Sequence, residues 1–308
     1  MKTTLLKNLL CVLPVLLSSC EYQNFTTYRI KEGNNFINYY YSQRNEKKIP
    51  NKKIIIFLEG SEYCSTLGIM RSFDWWEALT PANSFNNQLS DGFDLLVPEK
   101  ININMGEDFS ADSLKSMANT FAHRLRASEV VIDSFLNTAS YDSIYLAGYS
   151  EGGLILPKVY NSLKLKEKIT GLVSISCGGY SYYNIIKALY KSRSLDTSSI
   201  DIIISGINKE PNSFSKTAFG QPYIKWSNFM FFEPSEEYKK IDIPVLLIHG
   251  TNDQFSPIES ARFLKNKFLQ WNKSNLTYIE FENMNHNFNG DFYPVIRRIE
   301  MWIGNLNN

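Results

Sequence analysis

The feature that most constrains the fold of this chain is the string Gly148–Gly153 (Gly-Tyr-Ser-Glu-Gly-Gly), which joins a predicted strand to a predicted helix. The strand is predicted over 143–147 and the helix over 151–163, where Pro157 distorts it. A serine at such a junction lies on a tight turn, and the flanking glycines relieve the crowding that the turn creates. The positive end of the helix favours negative charge on the Ser150 hydroxyl oxygen. The string therefore predicts an activated serine between a strand and a helix.

Strand-like and helix-like segments alternate along most of the chain, which is typical of a mostly parallel central sheet flanked by helices. Several strand segments are continuous apolar runs, as expected of strands buried on both faces. Further strands are predicted at 36–41, 54–58, 93–97 (closed by Pro98), 171–176, 244–248 and 276–281, and further helices at 110–137, 257–271 and 292–303. The pattern predicts one α/β domain over 36–308.

The alternation stops between residues 178 and 240, before the next-to-last predicted strand. This segment is rich in aromatic residues, in a chain that is 14% aromatic: Tyr180, Tyr182, Tyr183, Phe214, Phe219, Tyr223, Trp226, Phe229, Phe231 and Phe232. Its place between two sheet strands predicts a mainly helical cap over the sheet edge. The alternative is a satellite core with no role in binding, and part of the segment must serve that purpose.

The first nineteen residues have the layout of a secretory signal, with a short basic start, an apolar run and small residues before a cysteine. Leu17–Cys20 resembles the lipobox of bacterial lipoproteins, in which Cys20 is lipidated and becomes the new N-terminus. The polar stretch up to residue 35 then predicts a tether. The alternatives are an ordinary signal peptide that contains a cysteine, or a membrane helix, although a run this short cannot cross a bilayer of ~30 Å. We expect an exported protein, lipid-anchored to a bacterial membrane.

The composition is that of an ordinary globular protein, with 44% apolar and 20% charged residues among 308. Removing Lys2 and Lys7 with the leader leaves 30 basic groups against 31 acidic ones, a net charge of −1. A nucleic-acid partner is not expected, since that would need a clustered basic surface. No metal-ligand cluster or dinucleotide glycine fingerprint is visible, so we expect no cofactor. The oligomeric state is left open.

A serine nucleophile needs a base within hydrogen-bond reach, and the chain contains only three histidines. His123 lies within a helix among apolar neighbours, which indicates a structural role. His249 ends a strand and is expected to brace the following turn. His286 lies in the loop after the last strand and before the last helix, so it is the predicted base.

The acid that orients the base is predicted to be Asp253, which follows the next-to-last strand. Asp242 precedes that strand and lies at the wrong edge of the sheet. Asp253 could also serve only as a helix cap or turn residue. The chain order Ser150, Asp253, His286 favours the catalytic interpretation.

Stabilising an oxyanion requires backbone N–H groups directed at the developing charge. One N–H is predicted from Glu151, the residue after the nucleophile. The other is predicted from the turn 59–62, with Ser61 as the best candidate. Ser61 and Glu62 could equally be plain turn residues.

The Gly-Tyr-Ser-Glu-Gly-Gly string, the stretch 243–253 and the His286 loop together resemble the α/β-hydrolase superfamily, in its esterase and serine-aminopeptidase-like branches. The resemblance covers nearly all of 36–305 in order, with Glu59 where many members have histidine. It implies a serine hydrolase that cleaves acyl esters, including lipid-like ones, through an acyl-enzyme. An exported aminopeptidase, a thioesterase and a catalytically silent acyl-binding lipoprotein are the alternatives.

Two cysteines, Cys64 and Cys177, remain in the body of the chain, in a compartment that favours disulfides. In the family's strand order they follow the two strands that flank the strand of Ser150. Strands two apart are separated by roughly 9–10 Å, whereas bridged Cα atoms need about 7 Å or less. A disulfide therefore requires the loop 61–65 to bend over the elbow, the strand-to-helix turn that carries Ser150. A disulfide and two free thiols both stay open, with a slight preference for the disulfide.

Overall fold

The computed structural model describes residues 25–44, 52–71, 77–108 and 115–306. The strands are β1 Thr26–Glu32, β2 Asn35–Ser42, β3 Lys53–Leu58, β4 Ile69–Arg71, β5 Glu77–Leu79, β6 Phe93–Ile101, β7 Ser143–Tyr149, β8 Ile169–Ile175, β9 Thr217–Ala218, β10 Gln221–Pro222, β11 Val245–Gly250 and β12 Leu276–Phe281. Eight of them form one sheet in the order β1-β2-β6-β3-β7-β8-β11-β12, and the last six strands of this order run parallel to one another. Two short ribbons, β4–β5 and β9–β10, lie outside the sheet.

Helices cover both faces of the sheet, which explains why its central strands are apolar at nearly every position. The helices are α1 Pro81–Gln88, α2 Phe121–Thr138, α3 Glu151–Ser162, α4 Tyr182–Ser192, α5 Ser198–Lys209, α6 Tyr223–Phe229, α7 Pro234–Tyr238, α8 Ile258–Gln270 and α9 Tyr293–Leu306, with short 3₁₀ turns at 115–119, 166–168 and 288–290. One hydrophobic core lies between the sheet and α2, α3 and α8, and the other lies between the sheet and α1 and α9. The predicted architecture is confirmed.

The insert between β8 and β11 is mainly helical, as predicted, and consists of α4 to α7 with the β9–β10 ribbon. It has a small core of its own, built around Ile186, Ile200, Ile204, Ile207, Trp226 and Met230. It also packs on the body of the molecule, because Phe121 at the start of α2 contacts Phe229 and Phe232, with ring centroids 4.8 and 4.7 Å apart. The aromatic segment therefore has a core of its own and also packs on the rest of the molecule, and its role in binding stays a prediction.

Three local expectations differ from the structure. The predicted tether contains strand β1, whose largely exposed residues pair along their whole length with β2. Strand β6 continues past Pro98. Its ladder with β3 ends at Leu96, and on β2 the partner of Pro98 is Tyr39, next to a register shift, which is where a strand tolerates proline. The helix predicted over 110–137 is a 3₁₀ turn followed by α2, which begins after Thr120, and 110–114 lie outside the described residues.

The predicted signal peptide and Cys20 also lie outside the described residues. In the described part of the chain, no helix is long and apolar enough to cross a membrane.

Candidate active site

The predicted elbow is a sharp turn between β7 and α3. Ser150 has φ 52° and ψ −118°, a conformation that is strained for a residue with a side chain. Its N–H donates to the carbonyl of Ile175 on the neighbouring strand, 2.9 Å away, which holds the turn. A Cβ at Gly152 would lie 2.1 Å from the oxygen of Leu58, and one at Gly148 would lie 2.5 Å from the oxygen of Gly152. The two glycines are required because backbone passes where a side chain would start.

Ser150, His286 and Asp253 form a continuous hydrogen-bonded chain. His286 Nε2 lies 2.9 Å from Ser150 Oγ, and its Nδ1 lies 2.7 Å from Asp253 Oδ2. The Asp253 side chain is fully buried, whereas that of His286 is 16% exposed. These three residues come from the carboxyl ends of β7, β11 and β12, at one edge of the parallel sheet. The structure thus brings together the three residues predicted for acid, base and nucleophile.

Backbone and hydroxyl groups fix the orientation of the acid and the base. Asp253 Oδ1 accepts the N–H groups of Phe255 and Ser256, both at 2.8 Å, which leaves Oδ2 for the imidazole. The carbonyl of His286 accepts the hydroxyls of Ser176 at 2.7 Å and Tyr149 at 3.3 Å. The histidine loop is therefore held against β7 and β8 independently of the imidazole contacts.

The remaining candidates lie outside this chain of contacts. Burial lowers the pKa of His123, whose Nδ1 is 2.7 Å from Thr120 Oγ1 on the same helix. His249 is completely buried beside Asp253, but its Nε2 is 3.7 Å from the carboxylate, beyond hydrogen-bond range. Asp242 pairs with Lys273 at the opposite edge of the sheet. Each residue has the structural position that its place in the sequence indicated.

The turn after β3 passes directly beside Ser150, where the predicted oxyanion loop should lie. A Cβ at Gly60 would lie 3.6 Å from Ser150 Cβ. The Ser61 N–H makes no hydrogen bond with any described residue, and Glu151 is the first residue of α3, where N–H groups have no partner within the helix. Both N–H groups are thus without an acceptor among the described residues, as a donor to an oxyanion has to be.

Two side chains donate hydrogen bonds to the backbone carbonyls of this turn, residues 59–62. The Arg124 guanidinium donates to the carbonyls of Glu59 and Gly60, the latter at 2.5 Å. Asn119 Nδ2 donates to the carbonyls of Ser61 and Glu62, at 3.2 and 3.1 Å. The amide planes of the turn are therefore fixed from the side opposite the nucleophile.

Strand β6 supplies further support through two buried charges beyond Pro98. Lys100 Nζ donates to the carbonyl of Cys64 at 2.8 Å. One carboxylate oxygen of Glu99 accepts the Ser65 hydroxyl at 2.5 Å and the Thr66 N–H at 2.9 Å. No local pattern predicts this support, because Glu-Lys after an apolar run and a proline is typical of an exposed strand end.

Glu59, the residue at which the chain departs from the family pattern it resembles, is 1% exposed and holds the loop against α1. Its carboxylate accepts the N–H groups of Gly60 and Ala82, both at 2.8 Å. Burial raises the pKa of Glu59 to about 7, against the two N–H donors, which lower it. The Gly60 N–H is thereby occupied and is not a candidate oxyanion donor.

The disulfide between Cys64 and Cys177 is wrong in this structure, where both are buried free thiols. Cys177 Sγ turns under the elbow and lies 2.8 Å from Ser174 Oγ. The backbone of Cys64 instead forms an isolated antiparallel β-bridge with Asp108, and its side chain packs on Gly68. The loop therefore does not bend over the turn that carries Ser150. Burial raises the pKa of each thiol to about 12. The described residues contain no group of three or more His, Cys, Asp or Glu side chains arranged to hold a metal ion.

No protein-family model matches the sequence, and no curated protein matches it significantly. Among solved structures, Est1E from Butyrivibrio proteoclasticus with bound ferulic acid superposes with a TM-score of 0.58 at 14% identity, over 91% of this chain and 98% of Est1E. The chain has the α/β-hydrolase fold. Esterase Pf2001 from Pyrococcus furiosus is similar with a TM-score of 0.52 at 13% identity, over 92% of this chain and 90% of the esterase.

The acylaminoacyl peptidase of Pyrococcus horikoshii is also similar, with a TM-score of 0.56 at 15% identity. The match covers 92% of this chain but 41% of the peptidase, so the chain spans less than half of that enzyme. These likenesses establish the fold, whereas the chemistry of this chain depends on its own residues.

Proposed function

We propose that this chain is a serine hydrolase that cleaves carboxylic esters through an acyl-enzyme on Ser150. The observation that carries the proposal is the hydrogen-bonded chain from Ser150 Oγ through His286 to Asp253 Oδ2, with separations of 2.9 and 2.7 Å. An imidazole placed between a hydroxyl and a buried carboxylate is the arrangement that makes a serine nucleophilic.

In the proposed reaction, Ser150 Oγ attacks the ester carbonyl carbon and its proton passes to His286 Nε2. Asp253 keeps the other imidazole N–H directed at itself and stabilises the imidazolium. The oxyanion of the tetrahedral intermediate accepts the N–H groups of Ser61 and Glu151. The intermediate expels the alcohol, which takes the proton from His286. Water then attacks the acyl-enzyme with His286 as base, releasing the acid and restoring the Ser150 hydroxyl.

The surroundings of His286 favour an apolar leaving group. The Phe255 ring is 73% exposed, and its centroid lies 5.4 Å from that of the His286 imidazole. Because the departing alcohol takes its proton from His286, it must pass close to this ring. An exposed phenyl group fixed beside the base gives an apolar or aryl alcohol a surface to cover.

The state of the Glu151 carboxylate favours ester cleavage over aminopeptidase activity. An aminopeptidase needs a free acidic group near the nucleophile to bind the substrate's ammonium group. Glu151 is the acidic residue adjacent to Ser150, but its carboxylate lies 2.8 Å from Lys225 Nζ and is fully buried. Among the fold neighbours, Pf2001 is named as an esterase and Est1E has been solved with bound ferulic acid.

The test is a substrate panel of p-nitrophenyl esters with increasing acyl length, matched aryl and methyl esters, a thioester and aminoacyl anilides. We expect the esters to be cleaved fastest, and Phe255→Ala to raise KM for aryl esters several-fold while leaving that for methyl esters unchanged. Leu269→Ala is the matched control, because Leu269 is 64% exposed near the far end of α8. Faster turnover of anilides would replace the proposal with an aminopeptidase, faster thioester cleavage with a thioesterase, and no turnover with a silent acyl-binding protein.

We also propose, from the sequence around Cys20, that the protein is exported and anchored in a bacterial membrane by lipid on that cysteine. A tethered hydrolase would meet lipid-like esters at the membrane surface, which is consistent with a preference for apolar substrates.

A further inference from the structure

The side chain of Glu151 is charged and buried directly beside the nucleophile, and the proposed reaction does not use it. Glu151 begins α3 immediately after Ser150, and its side chain has no exposed surface. A buried carboxylate is strongly destabilising unless cations or hydrogen-bond donors compensate its charge. Only its backbone N–H enters the reaction, so the presence of the carboxylate needs its own explanation.

Three side chains from three helices surround this carboxylate. Lys225 Nζ on α6 lies 2.8 Å from Oε2, and the Tyr182 hydroxyl on α4 donates to Oε2 at 2.9 Å. Arg124 on α2 approaches the other oxygen at 3.8 Å. Burial alone raises the pKa of Glu151, but Lys225 and Arg124 outweigh it, so the pKa lies below its usual value. The carboxylate is therefore ionised and held mainly by the insert.

The same cations connect Glu151 to the oxyanion loop. Arg124 donates to the carbonyls of Glu59 and Gly60, the two residues before Ser61. Lys225 Nζ lies 5.9 Å from the centroid of the Tyr63 ring, two residues after Ser61. The chain segments that carry the two proposed oxyanion N–H groups therefore both contact the same buried charged side chains, Lys225 and Arg124.

Lys225 belongs to the insert, whereas the N–H groups belong to the hydrolase body. Its side chain is 2% exposed, which is unusual for lysine and means that its position depends on how α6 is seated. Phe229, one turn further along α6, packs on Phe121 of the body with ring centroids 4.8 Å apart. If α6 moved away, Glu151 would lose its ion pair with Lys225 and keep only the Tyr182 hydroxyl and the longer Arg124 contact.

We propose that Lys225 is a positioning residue for catalysis: by pairing with the Glu151 carboxylate it fixes the Glu151 N–H, so that the oxyanion hole is complete only when the insert is seated on the body. The inference rests on the proposed function, since it concerns the same reaction. It gives the insert a role in the rate of the chemical step, beyond lining a binding surface.

The experiment uses the full chain and four variants: Lys225→Met, Lys225→Arg, Glu151→Gln and the double variant Lys225→Met with Glu151→Gln. Lys240→Met is the matched control, because Lys240 is also an ion-paired lysine of the insert, 3.1 Å from Glu237, but is 59% exposed. For each protein, kcat and KM are measured on one short p-nitrophenyl ester, together with the midpoint of thermal unfolding. The Ki of a trifluoromethyl ketone, which forms a tetrahedral oxyanion on the serine, is measured as well.

We expect Lys225→Met to lower kcat about 10- to 100-fold with little change in KM, since loss of a whole oxyanion donor costs about 10²–10³-fold. The Ki of the ketone should rise by the same factor as kcat/KM falls. Lys225→Arg should retain most of the activity, and Lys240→Met all of it. In the double variant neither Lys225 nor Glu151 leaves the other as an unpaired buried charge, and Arg124 keeps its hydrogen bonds to the carbonyls of Glu59 and Gly60, so the unfolding midpoint should recover while kcat stays low.

Wild-type kcat in Lys225→Met, or a kcat that recovers together with the unfolding midpoint in the double variant, would overturn the inference and leave a purely structural ion pair. If Lys225→Met does not fold, the double variant decides: a low kcat with a recovered unfolding midpoint supports the inference, and a wild-type kcat overturns it. Failure of the proposed function gives a different result, because the wild-type protein itself would then cleave no ester.

Discussion

At the scale of single residues, the acid Asp253 shows how backbone contacts select one protonation pattern. Its Oδ1 is committed to the N–H groups of Phe255 and Ser256 at 2.8 Å, so that atom must be an acceptor. Oδ2 faces His286 Nδ1 at 2.7 Å and accepts a hydrogen bond from its N–H. His286 Nε2 is then left unprotonated in the resting state and can take the Ser150 proton.

Asp253→Asn should therefore reverse the tautomer without unfolding the protein. The two N–H groups will keep the amide oxygen, and the amide NH₂ will face His286 Nδ1. Nδ1 must then accept, so Nε2 carries the proton and cannot act as base. We expect kcat to fall by about 10³–10⁴-fold with an unchanged circular dichroism spectrum. A kcat within tenfold of the wild type would contradict this role for Asp253.

Glu59 should make stability depend on pH in a defined direction. Its folded-state pKa of about 7 lies above the ordinary 4.5, so the folded protein holds this proton more tightly than the unfolded chain does. The contribution is fully present below pH 4.5 and is lost as the pH rises to 7 and above. It amounts to about 3 kcal/mol.

The measurement is urea unfolding of the wild type and Glu59→Gln between pH 4.5 and 8. As the pH rises from 4.5 to 8, the unfolding free energy of the wild type should fall by about 3 kcal/mol relative to that of Glu59→Gln. Other titrating groups cancel in the difference. Parallel stability curves would show that Glu59 titrates normally.

At the scale of elements, the elbow depends on the close approach of α3 to β3. A methyl group at Gly152 would lie 2.1 Å from the carbonyl oxygen of Leu58, closer than any packed carbon can be. Strand β3 leads directly into the oxyanion loop, so displacing either element also moves Ser150 relative to that loop.

Gly152→Ala should therefore destabilise the protein by on the order of 1–3 kcal/mol, as overpacking does, and reduce ester turnover in the fraction that folds. Gly304→Ala is the control, because it lies within α9 with nothing within 4 Å of the added methyl group. That change should stabilise by up to about 1 kcal/mol through helix propensity. Equal effects of the two substitutions in urea unfolding would refute the packing argument.

Most elements of the sheet could be predicted from the sequence because apolar runs separated by turn residues identify parallel strands well. Strand β1 could not, because an edge strand exposed along most of its length has the polar composition of a linker. Glu99, Lys100 and Lys225 were missed for a related reason: charged residues are usually exposed, and no local pattern marks the ones that are buried.

The meeting of Ser150, His286 and Asp253 could be predicted because their order and loop positions follow from the strand pattern, and their catalytic roles stay predictions. The separation of Cys64 and Cys177 could not be predicted, since it depends on the path of the loop after β3. That path is set by buried hydrogen bonds to Arg124, Asn119 and Lys100, which have no signal in the sequence.

At the scale of the whole molecule, the proposed anchor makes membrane partition a testable property. The full chain expressed in a bacterial host should fractionate with membranes after loss of its first nineteen residues, and Cys20→Ser should be soluble or unprocessed. Several acyl chains, at about 0.8 kcal/mol per buried CH₂, make such an anchor durable. Cys11→Ser, within the leader, is the control and should fractionate like the wild type. A soluble wild-type protein that retains its leader would contradict the anchor.

The central claim, that Ser150 is the nucleophile of a serine hydrolase, is tested most directly by intact-mass analysis after treatment with a fluorophosphonate. The wild-type protein should gain the mass of one phosphonyl group, located on the peptide that contains Ser150, and should lose its esterase activity in parallel. Ser150→Ala should gain no mass and cleave no ester, and His286→Ala should react several orders of magnitude more slowly. An adduct on another residue, or ester turnover at the wild-type rate in Ser150→Ala, would contradict the account.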